Sequence, residues 1–135
     1  MEPLQQLAGM EFAVATAVVV MVGVFFLGMG LYGLAMPAAL IRPFGIALPD
    51  PTARAEVRAV YGGFGVAIAG VLAWAVTGTA AREGILIAVA VALLGMAFGR
   101  LVAGVIDTPK SFYPNWFYLL VELVLAGALL WAAHA

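Results

Sequence analysis

Apolar residues fill most of this chain in four long stretches, separated by short segments that hold nearly all of the charged residues and prolines. An α-helix that crosses a bilayer needs roughly 20 mainly apolar residues. The pattern therefore predicts four transmembrane helices, over about residues 12–36, 54–77, 84–106 and 115–133. The predicted fold class is all-α: a polytopic membrane protein built as a four-transmembrane-helix bundle, with residues 1–135 forming a single integral membrane domain.

The composition supports this class and excludes several others. Hydrophobic residues make up 66 % of the chain and charged residues 10 %, and the mean hydropathy is +1.15, which excludes a soluble domain. The chain has no cysteine, which excludes disulfides and thiolate metal sites. A net charge of −1 offers nothing to hold a nucleic acid, so no nucleic-acid partner is expected.

The distribution of basic residues predicts the orientation in the membrane. Residues 1–11 contain Glu2 and Glu11 but no Lys or Arg, unlike the basic start of a secretory signal, so the first segment is expected to remain. Four spans place both termini on one side of the membrane. The short turn on that side carries a single basic residue, Arg82. The other side carries Arg42, Arg54, Arg58 and Lys110. The positive-inside rule predicts cytoplasmic connections at 37–53 and 107–114, with both termini outside.

The connection 37–53 contains four prolines, which prevent a regular helix through it. Its apolar residues are expected to lie on the membrane interface or to fold under the bundle; they are Ile41, Phe44, Ile46 and Leu48. The segment is either a lid or an ordinary amphipathic linker. Asp50 and Pro51 are suited to the N-cap and the first position of the second long helix.

Charged residues inside the predicted spans point to a site near the connections. At about 1.5 Å per residue, Arg58, Arg100 and Glu122 lie roughly 6–12 Å inside their helices and reach a common layer. Helical spacing groups further polar side chains with them. The predicted ligand-binding residues are Arg58, Tyr61, Arg100, Asp107, Asn115, Tyr118 and Glu122. Three polar helix faces are thereby expected to meet at one pocket.

Glu122 needs a partner, because an isolated charge inside a bilayer costs about 2.5–3.5 kcal/mol or more. Arg100 is the first choice and Arg58 the second. Two interpretations stay open: a structural ion pair that fixes the helix order, or a polar pocket for a ligand or a proton. The hydroxyl groups of Tyr61 and Tyr118 favour the pocket, because a simple ion pair does not need them.

The available side chains narrow the chemistry of such a pocket. The only histidine is His134, at the opposite end of the bundle, which excludes bis-histidine haem, histidine zinc sites and a Ser-His-Asp arrangement. Neither a metal nor a cofactor is expected. Arginines beside tyrosines suit an anionic or carbonyl-bearing head group with an apolar tail between the helices, so the predicted partner is a membrane lipid or another amphipathic small molecule, such as a fatty acid or quinone.

Two other functions remain as alternatives. Glycines occur along the predicted helices, where they allow close helix contacts, and Gly95-x-x-x-Gly99 forms such a stripe. In the first alternative, these glycine-rich faces bind other chains, and the protein is an accessory or structural subunit of a larger membrane complex or of a homo-oligomer. The third candidate is an intramembrane isomerase or reductase in which Glu122 acts as general acid or base with Tyr61, although no spacing is diagnostic of a reaction.

Three segments resemble a known family: Arg58-Ala-Val-Tyr-Gly-Gly63, Gly99-Arg100 and Glu122. With them the chain resembles the small bacterial four-helix membrane proteins known as domain of unknown function 4345, and more loosely the DoxX-like proteins. The resemblance extends over most of the chain and implies a four-helix fold in a bacterial inner membrane. It implies no catalytic roles, because no activity is established for the family.

Overall fold

The computed structural model describes residues 2–135, and the apolar stretches form long helices in it. In chain order the helices are α1 (Glu2–Ala35), α2 (Pro37–Ile41), α3 (Pro51–Ala75), α4 (Arg82–Ile106) and α5 (Phe112–His134). All but the short α2 are long and apolar enough to cross a membrane, and no strand occurs among residues 2–135. The predicted all-α, four-helix membrane fold is confirmed.

The four long helices form a ring of antiparallel neighbours. α1 packs against α3 and α5, and α4 packs against α5 and α3. The apolar core lies in the half of the bundle near the termini, where small and branched side chains from all four helices meet: Ala15, Val19, Val22, Phe26, Leu72, Ala75, Leu86, Val89, Ala90, Leu93, Ala126, Leu129, Ala132 and Ala133. The other half, next to the connections, contains glycine contacts and polar side chains together with a few buried apolar residues: Ile41, Val57, Ala97 and Leu119.

The closest helix contact in that second half joins α1 and α3 through glycines. A Cβ atom added at Gly30 would lie 2.6 Å from the backbone nitrogen of Val66, and one at Gly65 would lie 2.8 Å from the Gly30 Cα. Only glycine fits here, because the backbones themselves are in contact. Gly95 and Gly99 behave differently: a Cβ at either would meet nothing within 4 Å. Neither glycine of the stripe predicted on α4 therefore lies against another helix within residues 2–135.

Helix α1 begins at Glu2, about ten residues before the start predicted from the apolar stretch. The difference has a simple cause, since an apolar run marks the part of a helix that fits the bilayer and not the whole helix. An acidic residue in the first turn favours a helix start by interacting with the helix dipole. The other three long helices begin within about three residues of the predicted positions.

Arg82 connects three helices at the end of the bundle near the termini. Its Nη2 atom donates a 3.0 Å hydrogen bond to the carbonyl oxygen of Ala132 in α5. Its guanidinium carbon lies 5.3 Å from the centre of the Phe12 ring in α1, within the range of a cation–π contact. The one arginine of the short turn therefore has a packing role in this fold.

The connection 37–53 folds against the bundle. Pro37 and Ile41 of α2 are buried, and a single 3-10 turn, Arg42–Phe44, follows them. The start of α3 is as predicted, because a side-chain oxygen of Asp50 accepts a 2.8 Å hydrogen bond from the backbone N–H of Ala53. Phe44, in the 3-10 turn, lies beside the ends of α4 and α5 that carry Arg100 and Tyr118.

Candidate functional site

Arg100 of α4 and Glu122 of α5 form an ion pair inside the bundle. The Nε atom of Arg100 donates a hydrogen bond to the Oε1 atom of Glu122. Glu122 is only 3 % exposed and is the one charged side chain classed as buried among residues 2–135, whereas 20 % of the Arg100 side chain is exposed. The contact confirms the predicted pairing and places both charges between two neighbouring helices.

Two aromatic rings lie beside the guanidinium group of Arg100. Its carbon atom is 5.5 Å from the centre of the Tyr118 ring and 6.0 Å from that of Phe44, so both rings are within cation–π distance. The two rings also stack on each other, with centres 5.6 Å apart and an angle of 29° between their planes. Arg100 is thus held by a carboxylate on one side and by aromatic rings from two separate segments.

The aromatic group extends outward through the start of α5. The Tyr113 ring lies 5.9 Å from that of Tyr118 and 5.5 Å from that of Phe117. Tyr113 is 48 % exposed. The rings therefore form a continuous path from the surface near the connections to the buried ion pair.

Two buried polar side-chain atoms of α5 have no hydrogen-bond partner within residues 2–135. One is Oε2 of Glu122, the carboxylate oxygen that Arg100 does not contact. The other is Nδ2 of Asn115, seven residues earlier on the same helix. A buried polar atom without a partner typically costs about 1–3 kcal/mol, and native structures rarely leave one without a water or a ligand.

The remaining predicted residues lie apart from the ion pair. The Nε atom of Arg58 donates a 3.0 Å hydrogen bond to the carbonyl oxygen of Leu34, where α1 ends and lacks helical donors of its own. Tyr61 is half-buried, and Asp107 is exposed at the end of α4. No hydrogen bond or aromatic contact within residues 2–135 joins any of the three to Arg100 or Glu122. Asn115 likewise has no hydrogen bond to either member of the pair within residues 2–135. The contacts of the site therefore join Arg100, Glu122, Tyr118 and Phe44.

Phe44 is the residue of this site that the sequence did not predict. Its apolar character was visible, but its contact with Tyr118 joins residues 74 positions apart, and helical spacing cannot predict such a contact. Trp116 was also missed as a packing residue: its Nε1 atom donates a 3.0 Å hydrogen bond to the carbonyl oxygen of Pro109, and its ring covers Gly104. Both residues orient the start of α5.

Glu122 Oε2 can accept a hydrogen bond and Asn115 Nδ2 can donate one. No group of three or more His, Asp or Glu side chains within residues 2–135 is placed to hold a metal ion. The arginine of the site is already paired with Glu122.

Comparison with known protein families identified a match over most of the chain. The model of a family described as a domain of unknown function (DUF4345) matches residues 14–133, which is nearly the whole chain. Comparison with curated proteins and with solved structures gave no match.

Proposed function

This chain belongs to the DUF4345 family, whose function is unknown, so its role has to be argued from its own residues, and we propose that it binds the polar head of an amphipathic small molecule or lipid. The head group lies at Arg100 and Glu122, and the apolar tail lies along the outside of α4 and α5. The observation that carries the proposal is the buried ion pair with an unpartnered carboxylate oxygen beside it. Intramembrane charges are rare and typically mark functional sites.

The geometry favours binding over a purely structural ion pair. A pair that only fixes helix order has no need of a free acceptor, and burying one without a partner is unfavourable. Arg100 remains partly exposed, and the aromatic rings of Tyr113 and Tyr118 lie between it and the surface. A molecule arriving along the membrane interface would meet these rings first, and they would have to move for it to reach the buried Glu122.

Native mass spectrometry tests this function. We expect the protein, extracted in an amine-oxide detergent, to carry a discrete added mass of lipid size. The double variant Arg100→Leu/Glu122→Leu replaces the charged pair by apolar side chains. We expect it to lower the ratio of ligand-bound to free protein about tenfold, as tenfold weaker binding would. Gly99→Ala is the control, since a Cβ there meets nothing within 4 Å, and it should keep the ligand.

A different spectrum would contradict the proposal. If the double variant carries the same added mass as the unmodified chain, the charged pair does not bind the molecule. If the chain has no small-molecule mass and appears only as a homo-oligomer or with partner chains, the accessory-subunit alternative is supported instead. Gly95 and Gly99, where an added Cβ would meet nothing within 4 Å, are then the expected contact surface.

We further propose that the protein lies in a bacterial inner membrane with its connections in the cytoplasm. The basis is the excess of basic residues on that side, Arg42, Arg54, Arg58 and Lys110, over the single Arg82 of the opposite turn. Because the chain has no cysteine, one introduced thiol reports the orientation. In intact cells an impermeant maleimide should label Ala80→Cys and spare Ile46→Cys. Labelling of only the second variant would show the reverse orientation.

A further inference from the structure

A second, shallow pocket lies in the connection between α1 and α3. Its volume is about 290 Å³. The residues that line it are Ala38, Arg42, Gly45, Ile46, Ala47 and Leu48. Neither Arg100 nor Glu122 lines it. Because the pocket lies where one membrane-spanning helix ends and the next begins, it is at the level of the lipid head groups.

Two arginines bring positive charge to this pocket. Arg42 lines it, and its side chain forms no hydrogen bond or ion pair within residues 2–135. The Nη1 atom of Arg54 lies 3.5 Å from the carbonyl oxygen of Leu48, another lining residue. Asp50, the one acidic residue between the two arginines in the chain, accepts a hydrogen bond from Ala53 and pairs with neither of them. The pocket therefore carries cationic groups without a counter-ion from the described part of the chain.

Backbone donors face the same loop. The N–H groups of Ile46, Ala47 and Leu48 donate no hydrogen bond within residues 2–135, because this stretch is neither helix nor strand. Peptide N–H groups and guanidinium groups together are the donors that bind phosphate oxygens in proteins. The carbonyl oxygen of Leu48 is turned to Arg54. The chemistry of the pocket thus favours an anion.

The surroundings favour a lipid as the source of that anion. Ile46 and Met36 are exposed apolar side chains next to the pocket in the chain, and at the membrane interface such side chains lie among acyl chains. A zwitterionic head group brings its own ammonium, which the two guanidinium groups would repel. A head group with a net negative charge has no such repulsion and gains from both arginines.

We propose that this pocket binds the phosphate of an anionic membrane phospholipid. Arg42 and the N–H groups of the loop 46–48 donate to the phosphate oxygens, and the acyl chains pass Ile46 into the bilayer. Arg54 adds its charge and orients the loop through Leu48. This site is separate from the Arg100–Glu122 pair and does not rest on the function proposed above.

Competition between two lipids tests the inference. The protein in a mild detergent is mixed with equal amounts of phosphatidylglycerol and phosphatidylcholine that carry the same deuterated acyl chains, so that native mass spectrometry separates them from any co-purified molecule. We expect the protein to bind phosphatidylglycerol at least about fivefold more, and Arg42→Gln to lower that ratio about fivefold, the factor for one basic residue at an anionic lipid. The unfolding midpoint of Arg42→Gln should be unchanged, because the side chain has no partner in the chain.

Lys110→Gln is the matched control. It removes one positive charge from the same side of the bundle, and Lys110 does not line the pocket. This variant should keep most of the preference for phosphatidylglycerol. Equal losses in Arg42→Gln and Lys110→Gln would overturn the inference, because the preference would then come from the overall charge of that side.

Three further results would also overturn it. Equal binding of the two lipids by the unmodified protein would show that the pocket does not select a negative head group. Release of phosphatidylglycerol by inorganic phosphate, but not by chloride of the same ionic strength, would show that the site takes a free anion. If Arg100→Leu/Glu122→Leu loses the preference and Arg42→Gln keeps it, the lipid lies at the ion pair, which supports the proposed function instead.

Discussion

Replacing Arg100 by leucine alone is expected to destabilise the bundle by about 3–5 kcal/mol, the range measured when one partner of a buried ion pair is removed. The loss arises because Glu122 is 3 % exposed and would then have no partner for either carboxylate oxygen. The effect is to be measured as the shift in unfolding midpoint when sodium dodecyl sulfate is added to the protein in a mild detergent.

The double variant Arg100→Leu/Glu122→Leu is the matched control for this experiment. Replacing both members of a buried pair by apolar side chains is often neutral or stabilising, so we expect most of the lost stability to return. A double variant as unstable as Arg100→Leu would contradict this explanation, because it would show that the loss comes from packing of the arginine stem. If the double variant regains stability but no longer carries a ligand, the charged pair is needed for binding and not for the stability of the bundle.

A second large effect is expected from adding one methyl group at Gly30. The new Cβ would lie 2.6 Å from the Val66 nitrogen, 2.8 Å from the Gly62 carbonyl oxygen and 2.9 Å from the Gly65 carbonyl carbon. All three are backbone atoms, so no side chain can rotate away and the two helices must separate. We expect Gly30→Ala to lower stability by about 3 kcal/mol, the upper part of the range for overpacked cores.

Gly28→Ala provides the control on the same helix. A Cβ at Gly28 would meet nothing within 4 Å, and alanine favours a helix over glycine by about 1 kcal/mol. This variant should therefore unfold at the same detergent concentration as the original chain or at a higher one. If Gly30→Ala and Gly28→Ala lose the same stability, α1 and α3 are farther apart than in the structure.

The comparison of these glycines shows where sequence patterns were sufficient and where they were not. Close packing was predicted for glycines on several helices, and Gly95 and Gly99 were identified as one stripe, but an added Cβ at either of these two would meet nothing within 4 Å. The helices actually meet through Gly30 and Gly65. A small side chain permits close approach on any face of a helix, and which face is used depends on how the helices are arranged around each other.

The candidate site, too, was predicted from the sequence only in part. Glu122 needed an opposite charge, and depth along the helices, which follows from the fixed rise per residue, reduced the choice of partner to Arg100 and Arg58. The structure pairs Glu122 with Arg100. Arg58 has a similar depth, yet it bonds to the end of α1 at Leu34. Depth gives a position along the membrane normal, and it contains no information on which neighbouring helix a side chain faces.

The sequence by itself determined the membrane class, the four spans, the capped start of α3 and the need of Glu122 for an arginine partner, because these follow from local composition, helix geometry and the high energy of an unpaired charge in a bilayer. The tertiary structure alone decided that this partner is Arg100 and not Arg58, and that α1 and α3 touch at Gly30 and Gly65. It also decided that Phe44 stacks on Tyr118, and that Asn115 Nδ2 and Glu122 Oε2 have no partner within residues 2–135. Such contacts join residues far apart in the chain, and they depend on the rotation of each helix about its axis, which an almost uniformly apolar surface leaves undetermined.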